Sequence, residues 1–129
     1  MTVPLLALDY LRKNASDSFL CTNELEFFNS NPTTPVLESD ICCIPSGVLT
    51  IGEAKKRNRL GESAADEVAN IEKYLELCNL LAPRQVVFAT MATAWSDATL
   101  AKIEEVFRGG IVRPVLLTKS ELLNPRAYT

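Results

Sequence analysis

Three charged residues lie within a largely apolar stretch of this chain. Asp40 directly precedes the run Ile-Cys-Cys-Ile, and Glu53 and Lys55 end a second apolar run. Burying one such charge without a partner costs several kcal/mol, so two carboxylates and a lysine here indicate that something binds between them. Hard divalent cations take oxygen ligands. Asp40, Glu53 and the backbone carbonyl of Ala54 would suit Mg²⁺ or Mn²⁺.

The chemistry predicted for this set is hydrolysis of a phosphodiester. A bound divalent cation lowers the pKa of a water ligand and polarises the phosphate. Lys55 is placed to orient or deprotonate that water, or to neutralise the negative charge that develops. A plainer interpretation is that Glu53 and Lys55 form a structural ion pair on a sheet face, worth ~1 kcal/mol at most if exposed.

A predicted hairpin positions these residues. Pro45-Ser46-Gly47 is a tight-turn signal, and strands are predicted on either side of it, at Leu37–Ile44 and Val48–Lys55. Pairing these strands antiparallel brings Asp40 beside Glu53 or Lys55, and the exact register stays open. Because side chains alternate along a strand, the glutamate and the lysine point to the same face.

Hydrophobic spacing predicts the remaining elements. They are a helix at Val3–Lys13, a strand at Ser18–Phe28, a helix at Glu62–Leu81, a strand at Gln85–Thr90, a helix from Ser96-Asp97 to Phe107, and a strand at Ile111–Thr118. The resulting order, α-β-β-β-α-β-α-β, predicts a single α/β domain over residues 1–129. Its central mixed sheet would carry helices on both faces, giving three layers.

The pattern of an aspartate, twelve residues across a hairpin, and then Glu53-Ala54-Lys55 resembles the PD-(D/E)XK nuclease superfamily. The spacing is similar to that of archaeal Holliday-junction resolvases and related repair nucleases. The resemblance covers roughly Val3 to Leu117 and implies the restriction-endonuclease-like fold. It also implies metal-dependent cleavage of nucleic acid, with DNA expected. Asp40 and Glu53 would then hold Mg²⁺ or Mn²⁺, and Lys55 would be the catalytic base or stabiliser.

Members of that superfamily often carry a further acidic residue upstream. Glu24, Glu26 and Asp9 are the candidates, and Glu26 is preferred as a catalytic residue because two phenylalanines follow it. The proline that precedes the family's aspartate is absent, and Ser39 stands in its place.

Two aromatic residues allow a functional and a structural interpretation. Asn70-Ile-Glu-Lys-Tyr74 resembles a Gln-x-x-x-Tyr signature of some family members, with Asn where Gln is usual. Helical spacing favours Tyr74 as a core residue instead. Trp95 could stack on a base, but a hydrophobic staple ahead of the helix that Ser96 or Asp97 caps is the favoured interpretation.

The densest positive run begins at Lys55 and continues through Lys56, Arg57 and Arg59. Lys56, Arg57 and Arg59 are predicted to bind nucleic acid by contacting phosphates next to the scissile bond. The alternative is a solvated loop whose charge is balanced by the acidic residues of the following helix.

Composition limits the function classes. The net charge of −3 and pI near 5.0 argue against a protein that coats nucleic acid through bulk charge. The chain has no histidine, which removes Ser-His and Cys-His nucleophile pairs. Its four cysteines form no CxxC pair and are expected to be buried free thiols. No signal peptide or membrane-spanning run is predicted, so a cytoplasmic protein is expected.

A second function class stays open. The domain could be a catalytically inactive nuclease-fold module that binds nucleic acid or another protein, which the acidic pI favours, whereas the intact Asp-Glu-Lys set favours an enzyme. The sequence contains no evident DNA-specificity element. Substrate choice would therefore come from a homodimer mate or from attachment to a larger protein.

Overall fold

A five-stranded mixed β-sheet forms the centre of the protein. The computed structural model describes residues 3–16, 18–22, 25–27 and 37–123. Its elements are α1 Val3–Lys13, β1 Phe19–Thr22, β2 Leu25–Phe27, β3 Leu37–Ser39, β4 Ile41–Pro45, β5 Thr50–Lys55, α2 Ala64–Leu81, β6 Gln85–Thr90, α3 Asp97–Phe107, β7 Arg113–Leu117 and α4 Lys119–Leu122. The α/β class predicted from the sequence is confirmed.

The main sheet has the strand order β1-β4-β5-β6-β7. Strand β4 runs antiparallel to both of its neighbours, while β5, β6 and β7 run parallel to one another. All six residues of β6 are buried, as expected for a central parallel strand covered on both faces. Strands β2 and β3 form a separate two-stranded sheet.

Helices cover both faces of the main sheet, which gives three layers. Two separate clusters of buried residues lie on opposite faces. The first joins α2 and α3 to the sheet and includes Ile51, Ile71, Tyr74, Phe88 and Ile103. The second joins α1 and α4 to the sheet and includes Leu6, Leu11, Cys43, Val87 and Leu122. Alternation along β5 and β6 explains the division, because odd and even positions point to opposite faces.

The predicted hairpin between β4 and β5 is confirmed. Ser46 and Gly47 both have positive φ, at 50° and 79°, and the Val48 N–H donates to the Pro45 carbonyl at 3.0 Å. Two consecutive residues with positive φ are typical of the type I′ turn, whose twist matches that of the paired strands. The turn fixes the register, in which Ile41 lies opposite Gly52.

Two strands predicted as continuous are each divided in the structure. The predicted strand Ser18–Phe28 contains β1 and β2, and the predicted strand Leu37–Ile44 contains β3 and β4, separated by Asp40. The physical reason at the second break is the buried Ser39 hydroxyl, which bonds to main-chain groups of both β4 and β5. The chain therefore bends at Asp40, and β3 leaves the main sheet to pair with β2.

The predicted helices form with small shifts at their ends. Helix α2 begins at Ala64 because the Ser63 side chain caps it, accepting a hydrogen bond from the Asp66 N–H at 3.2 Å. Helix α3 begins after Ser96, as predicted. The short helix α4 was not predicted; Thr118 and Glu121 form its capping box. No helix in the described part of the chain is both long and apolar enough to cross a bilayer.

Candidate active site

Strand β5 presents two sets of side chains to two faces of the sheet. Ile51 packs in the cluster below α2 and α3, whereas Ala54 packs on the α1 side. Glu53 and Lys55 alternate with Ala54, so both point toward α2. The sequence prediction that these two side chains share a face is confirmed.

The register places Asp40 beside Glu53 at the end of the antiparallel ladder. Ile41 lies opposite Gly52, so the preceding Asp40 reaches the level of Glu53. Asp40 Oδ2 accepts a hydrogen bond from the Ala54 N–H at 3.2 Å. In an extended strand the N–H and C=O of one residue point to the same side. The carbonyl of Ala54 is therefore directed to the same edge of β5 as Asp40.

Ser39 and Gly52 fix the main chain beneath this edge. The Ser39 hydroxyl donates to the carbonyls of Ile41, at 2.7 Å, and of Gly52, at 3.1 Å, and it accepts from the Gly52 N–H at 3.2 Å. Gly52 lies opposite Val87 in the parallel ladder. A Cβ atom on Gly52 would collide with the Val87 carbonyl oxygen, so the close approach of β5 to β6 requires glycine here.

Glu53 is a buried carboxylate, with 4% of its surface exposed. Its Oε2 atom lies 2.9 Å from Lys73 Nζ and accepts a hydrogen bond from the Tyr74 hydroxyl at 3.1 Å. The same hydroxyl lies 2.7 Å from the Gly52 carbonyl. The ion pair of Glu53 is thus made with helix α2, through Lys73.

Lys73 is a site residue that the sequence interpretation missed. It precedes Tyr74 on the helix, its side chain is 16% exposed, and its ammonium group lies 5.0 Å from the centre of the Tyr74 ring. Tyr74 is completely buried, which confirms the core interpretation, and its hydroxyl reaches Glu53 as well. The sequence signal that could have identified Lys73 is its place on α2, where it borders the buried face formed by Ile71, Tyr74 and Leu77.

The pKa of Glu53 is raised to about 7 from its usual 4.5. Burial is the largest cause, the nearby carboxyl of Asp40 acts in the same direction, and Lys73 opposes both effects. Burial also raises the pKa of Tyr74 well above its usual value, with Glu53 adding to the shift. Close to neutral pH, the Glu53 carboxyl is poised between its protonated and ionised forms.

A cleft of about 470 Å³ opens beside Lys55. Its walls are formed by the end of β5, the following loop and the start of α2, namely Lys55, Lys56, Arg57, Arg59, Leu60, Gly61, Glu62, Asp66, Ala69 and Asn70. The predicted nucleic-acid-binding residues Lys56, Arg57 and Arg59 are all exposed and all line this cleft. The structure therefore brings the basic run and Lys55 to one concave surface.

The main chain of the basic loop is held at several points. The Arg57 carbonyl accepts a hydrogen bond from the Thr90 hydroxyl, and the Asn58 carbonyl accepts from the Ser96 N–H at 2.8 Å. Leu60 is buried; its N–H donates to Glu67 at 3.2 Å, and its carbonyl accepts from the Asn70 side chain. The exposed basic side chains thus project from a fixed main chain.

The three candidates for an upstream acid have different outcomes. Asp9 lies in α1, on the opposite face of the sheet from Glu53, and pairs with Arg12 at 2.7 Å and Lys13 at 3.7 Å. The main chain of Glu26 lies in β2, paired with Glu38, but its side chain is outside the described part of the structure. Glu24 lies outside the described residues.

Trp95 packs in the core of the protein. Trp95 is 4% exposed and belongs to the core cluster beneath α3, so the packing interpretation is confirmed over base stacking. Its indole N–H has no hydrogen-bond partner in the described structure.

All four cysteines are free thiols; Cys42 and Cys43 are buried as expected, Cys78 is half-buried, and Cys21 is exposed, contrary to that expectation.

The oxygen ligands present at the site fit a divalent cation. The Asp40 and Glu53 carboxyls are neighbours, and the Ala54 carbonyl is directed to the edge of β5 where Asp40 lies, so these oxygens are of the type that a hard divalent cation takes. Among the described residues, no group of three or more acidic or cysteine side chains is arranged to hold a metal ion. A site built from these residues would consist of two carboxylates, one main-chain oxygen and water.

Comparisons with known protein families, with curated proteins and with solved structures found no match to this chain. The candidate function therefore depends on the geometry of the site and on the motif that led to it.

Proposed function

We propose that this domain is a metal-dependent nuclease that hydrolyses phosphodiester bonds of nucleic acid, with DNA as the expected substrate. One observation carries the proposal. Asp40 lies beside Glu53 on one face of the sheet, and Lys55 on the same face lines a basic cleft. Asp40, Glu53 and the Ala54 carbonyl would hold Mg²⁺ or Mn²⁺. When bound, this cation supplies Lewis-acid activation of water and of the phosphate.

The protein's own residues perform the other tasks. Lys55 projects into the cleft and would hold the attacking water or neutralise charge that develops on the phosphate. Lys56, Arg57 and Arg59 would bind the phosphates of the strand and set its position. Lys73 and Tyr74 touch Glu53 Oε2 only from the α2 side, so they would act as positioning residues that hold this carboxylate toward Asp40.

The restriction-endonuclease-like arrangement is part of the same proposal. Its support is the element order of the main sheet. When the β2–β3 hairpin and α4 are set aside, the order α1-β1-β4-β5-α2-β6-α3-β7 follows the predicted order α-β-β-β-α-β-α-β. The candidate residues lie at the β4–β5 hairpin and on the helix that follows it.

Titration calorimetry with Mn²⁺ and Mg²⁺ tests the metal site. Wild type should bind one ion, and Asp40→Asn and Glu53→Gln should each abolish binding while the protein stays folded. Lys55→Met should still bind metal but lose cleavage of labelled DNA and RNA substrates by at least about 100-fold. Glu104→Gln, which removes an exposed carboxylate on α3, is the control and should behave as wild type.

The contrary result is equally clear. Metal binding that survives in both carboxylate variants would place the ion elsewhere. Cleavage that survives in all three variants would indicate a contaminating nuclease or a different site. Titration in the presence of uncleaved DNA covers a metal site that a substrate phosphate completes.

One observation favours a second candidate, an inactive nuclease-fold module. Lys73 already neutralises Glu53 in this structure, so the carboxylate is satisfied without a metal ion. Such a module would bind nucleic acid or a protein partner, with no response to Mn²⁺ and no effect of Lys55→Met. A homodimer or a larger parent protein fits either candidate.

A further inference from the structure

The cleft beside Lys55 contains more positive than negative charge. Of its lining residues, Lys55, Lys56, Arg57 and Arg59 are cationic, while Glu62 and Asp66 are acidic. An anion is therefore the ligand class that the cleft attracts, although the whole chain carries a net charge of −3. Arginine pairs bind tetrahedral phosphate oxygens through several N–H groups at once.

This cleft is organised before any ligand arrives. The loop that carries the basic residues is tied to the end of β6, to the start of α3 and to two side chains of α2. Leu60 anchors the loop in the core. A ligand would therefore order few main-chain torsions on binding, which lowers the entropic cost of occupying the cleft.

One carboxylate already occupies the arginine that this ligand needs. Both oxygens of Glu62 lie 2.9 Å from Arg57 Nη1, and Arg59 Nη2 lies 3.9 Å from Glu62 Oε2. The pair is open to water, since the Glu62 side chain is 74% exposed. Exposed ion pairs of this kind are weak and exchange readily.

We propose that the cleft binds a phosphate group of the nucleic-acid strand and that Glu62 competes with this phosphate for Arg57 and Arg59. The carboxylate stands in for the phosphate while no strand is bound and moves aside when one arrives. This inference rests on the proposed function, because it takes nucleic acid as the ligand. It adds a residue whose removal should strengthen binding, whereas removal of the basic residues should weaken it.

The test compares two variants that change the charge identically. Glu62→Gln removes the competing carboxylate. Glu104→Gln removes a carboxylate that is equally exposed and also pairs with an arginine, Arg108 at 3.5 Å, but on α3. Binding of a fluorescein-labelled 15-nucleotide single strand is measured by anisotropy at low salt in EDTA, so that no cleavage occurs.

Glu62→Gln should tighten binding by about threefold or more, and Glu104→Gln should leave it unchanged. The gain should shrink in an Arg57→Gln background, where the main arginine for which Glu62 and the phosphate compete is gone. Equal affinities for Glu62→Gln and Glu104→Gln would overturn the inference, as would the absence of binding by both wild type and Glu62→Gln.

Two further measurements distinguish this inference from binding of a free small anion and from the proposed nuclease activity. Inorganic phosphate and a mononucleotide are added as competitors; displacement of the strand by either at micromolar concentration would assign the cleft to a free small anion instead. Mn²⁺-dependent cleavage is measured separately. Tighter binding by Glu62→Gln without any cleavage would support the cleft and reject the nuclease, whereas cleavage with no effect of Glu62→Gln would do the reverse.

Discussion

At the scale of single residues, opposing influences set the ionisation of Glu53. Burial and the neighbouring Asp40 favour its protonated form, while Lys73 favours the carboxylate. The balance leaves its pKa at about 7, so the charge on this one side chain changes across the neutral range. A metal ion bound between the two acids would compete with the proton for Glu53.

The raised pKa of Glu53 predicts how the metal-free protein responds to pH. A carboxyl whose pKa is higher in the folded state contributes stability below its unfolded pKa, and that contribution is lost as the pH rises through about 7. Between pH 4 and pH 8 in EDTA, the free energy of unfolding of wild type should fall by about 3 kcal/mol relative to that of Glu53→Gln. Urea unfolding of both proteins at a series of pH values measures this difference. Parallel curves for the two proteins would contradict the prediction.

Lys73 predicts a second effect on the same profile. Because its ammonium group stabilises the ionised form of Glu53, Lys73→Met should move the midpoint of the pH-dependent loss of stability upward by about one pH unit. Lys102→Met removes a lysine from a more exposed pair with Glu105 and serves as the control. An unchanged midpoint in Lys73→Met would mean that the ion pair does not govern the titration of Glu53.

At the scale of elements, helix α2 connects the core to the site. Its buried face holds Ile71 and Leu77, and the same packing brings Lys73 and Tyr74 over Glu53. Apolar spacing was sufficient to predict the helix. It could not identify Lys73, because a lysine at the border of a buried face has the same sequence pattern whether it reaches water or a buried acid.

The end of α2 offers a direct test of helix stability. Ala82 adopts the left-handed conformation, with φ 47° and ψ 51°, and its N–H donates to the Cys78 carbonyl. This conformation is unfavourable for alanine and is the usual place for glycine. Ala82→Gly should therefore stabilise the protein by about 0.5–1 kcal/mol. Chemical denaturation measures the change, and a loss of stability would show that α2 ends differently in solution.

At the scale of the whole molecule, the distribution of charge matters more than its sum. The chain is acidic overall, yet four cations meet at one cleft. If this cleft supplies the phosphate contacts, a plot of log affinity against log salt for a single strand should have a slope of about −3. Anisotropy titrations between 50 and 200 mM salt would measure it. A slope twice as steep would reveal a second binding surface.

The order of the main-sheet elements and the presence of the β4–β5 hairpin could be predicted because both depend on local signals, namely apolar spacing and a tight turn, whereas the register of the hairpin stayed open until the structure fixed it. The break at Asp40 could not, because it depends on a hydroxyl of Ser39 that bonds across to β5. Leu37 before this position and the apolar run Ile41 to Ile44 after it made one continuous strand the simpler prediction. The pairing of Glu53 with Lys73 was also hidden, since the two residues are twenty positions apart and meet only after α2 packs on the sheet.

Gly52 is required for the site although it takes no part in the proposed chemistry. It has no side chain to react, yet the strand that carries Glu53 can approach β6 only because that position is bare. If the domain has the proposed nuclease activity, a genetic screen for inactive variants should recover Gly52 substitutions as often as changes at Asp40 or Glu53. Assays of soluble yield would separate the two groups, since only the glycine variants should fail to accumulate. A map of this site drawn from loss-of-function alleles will be wider than one drawn from reacting atoms.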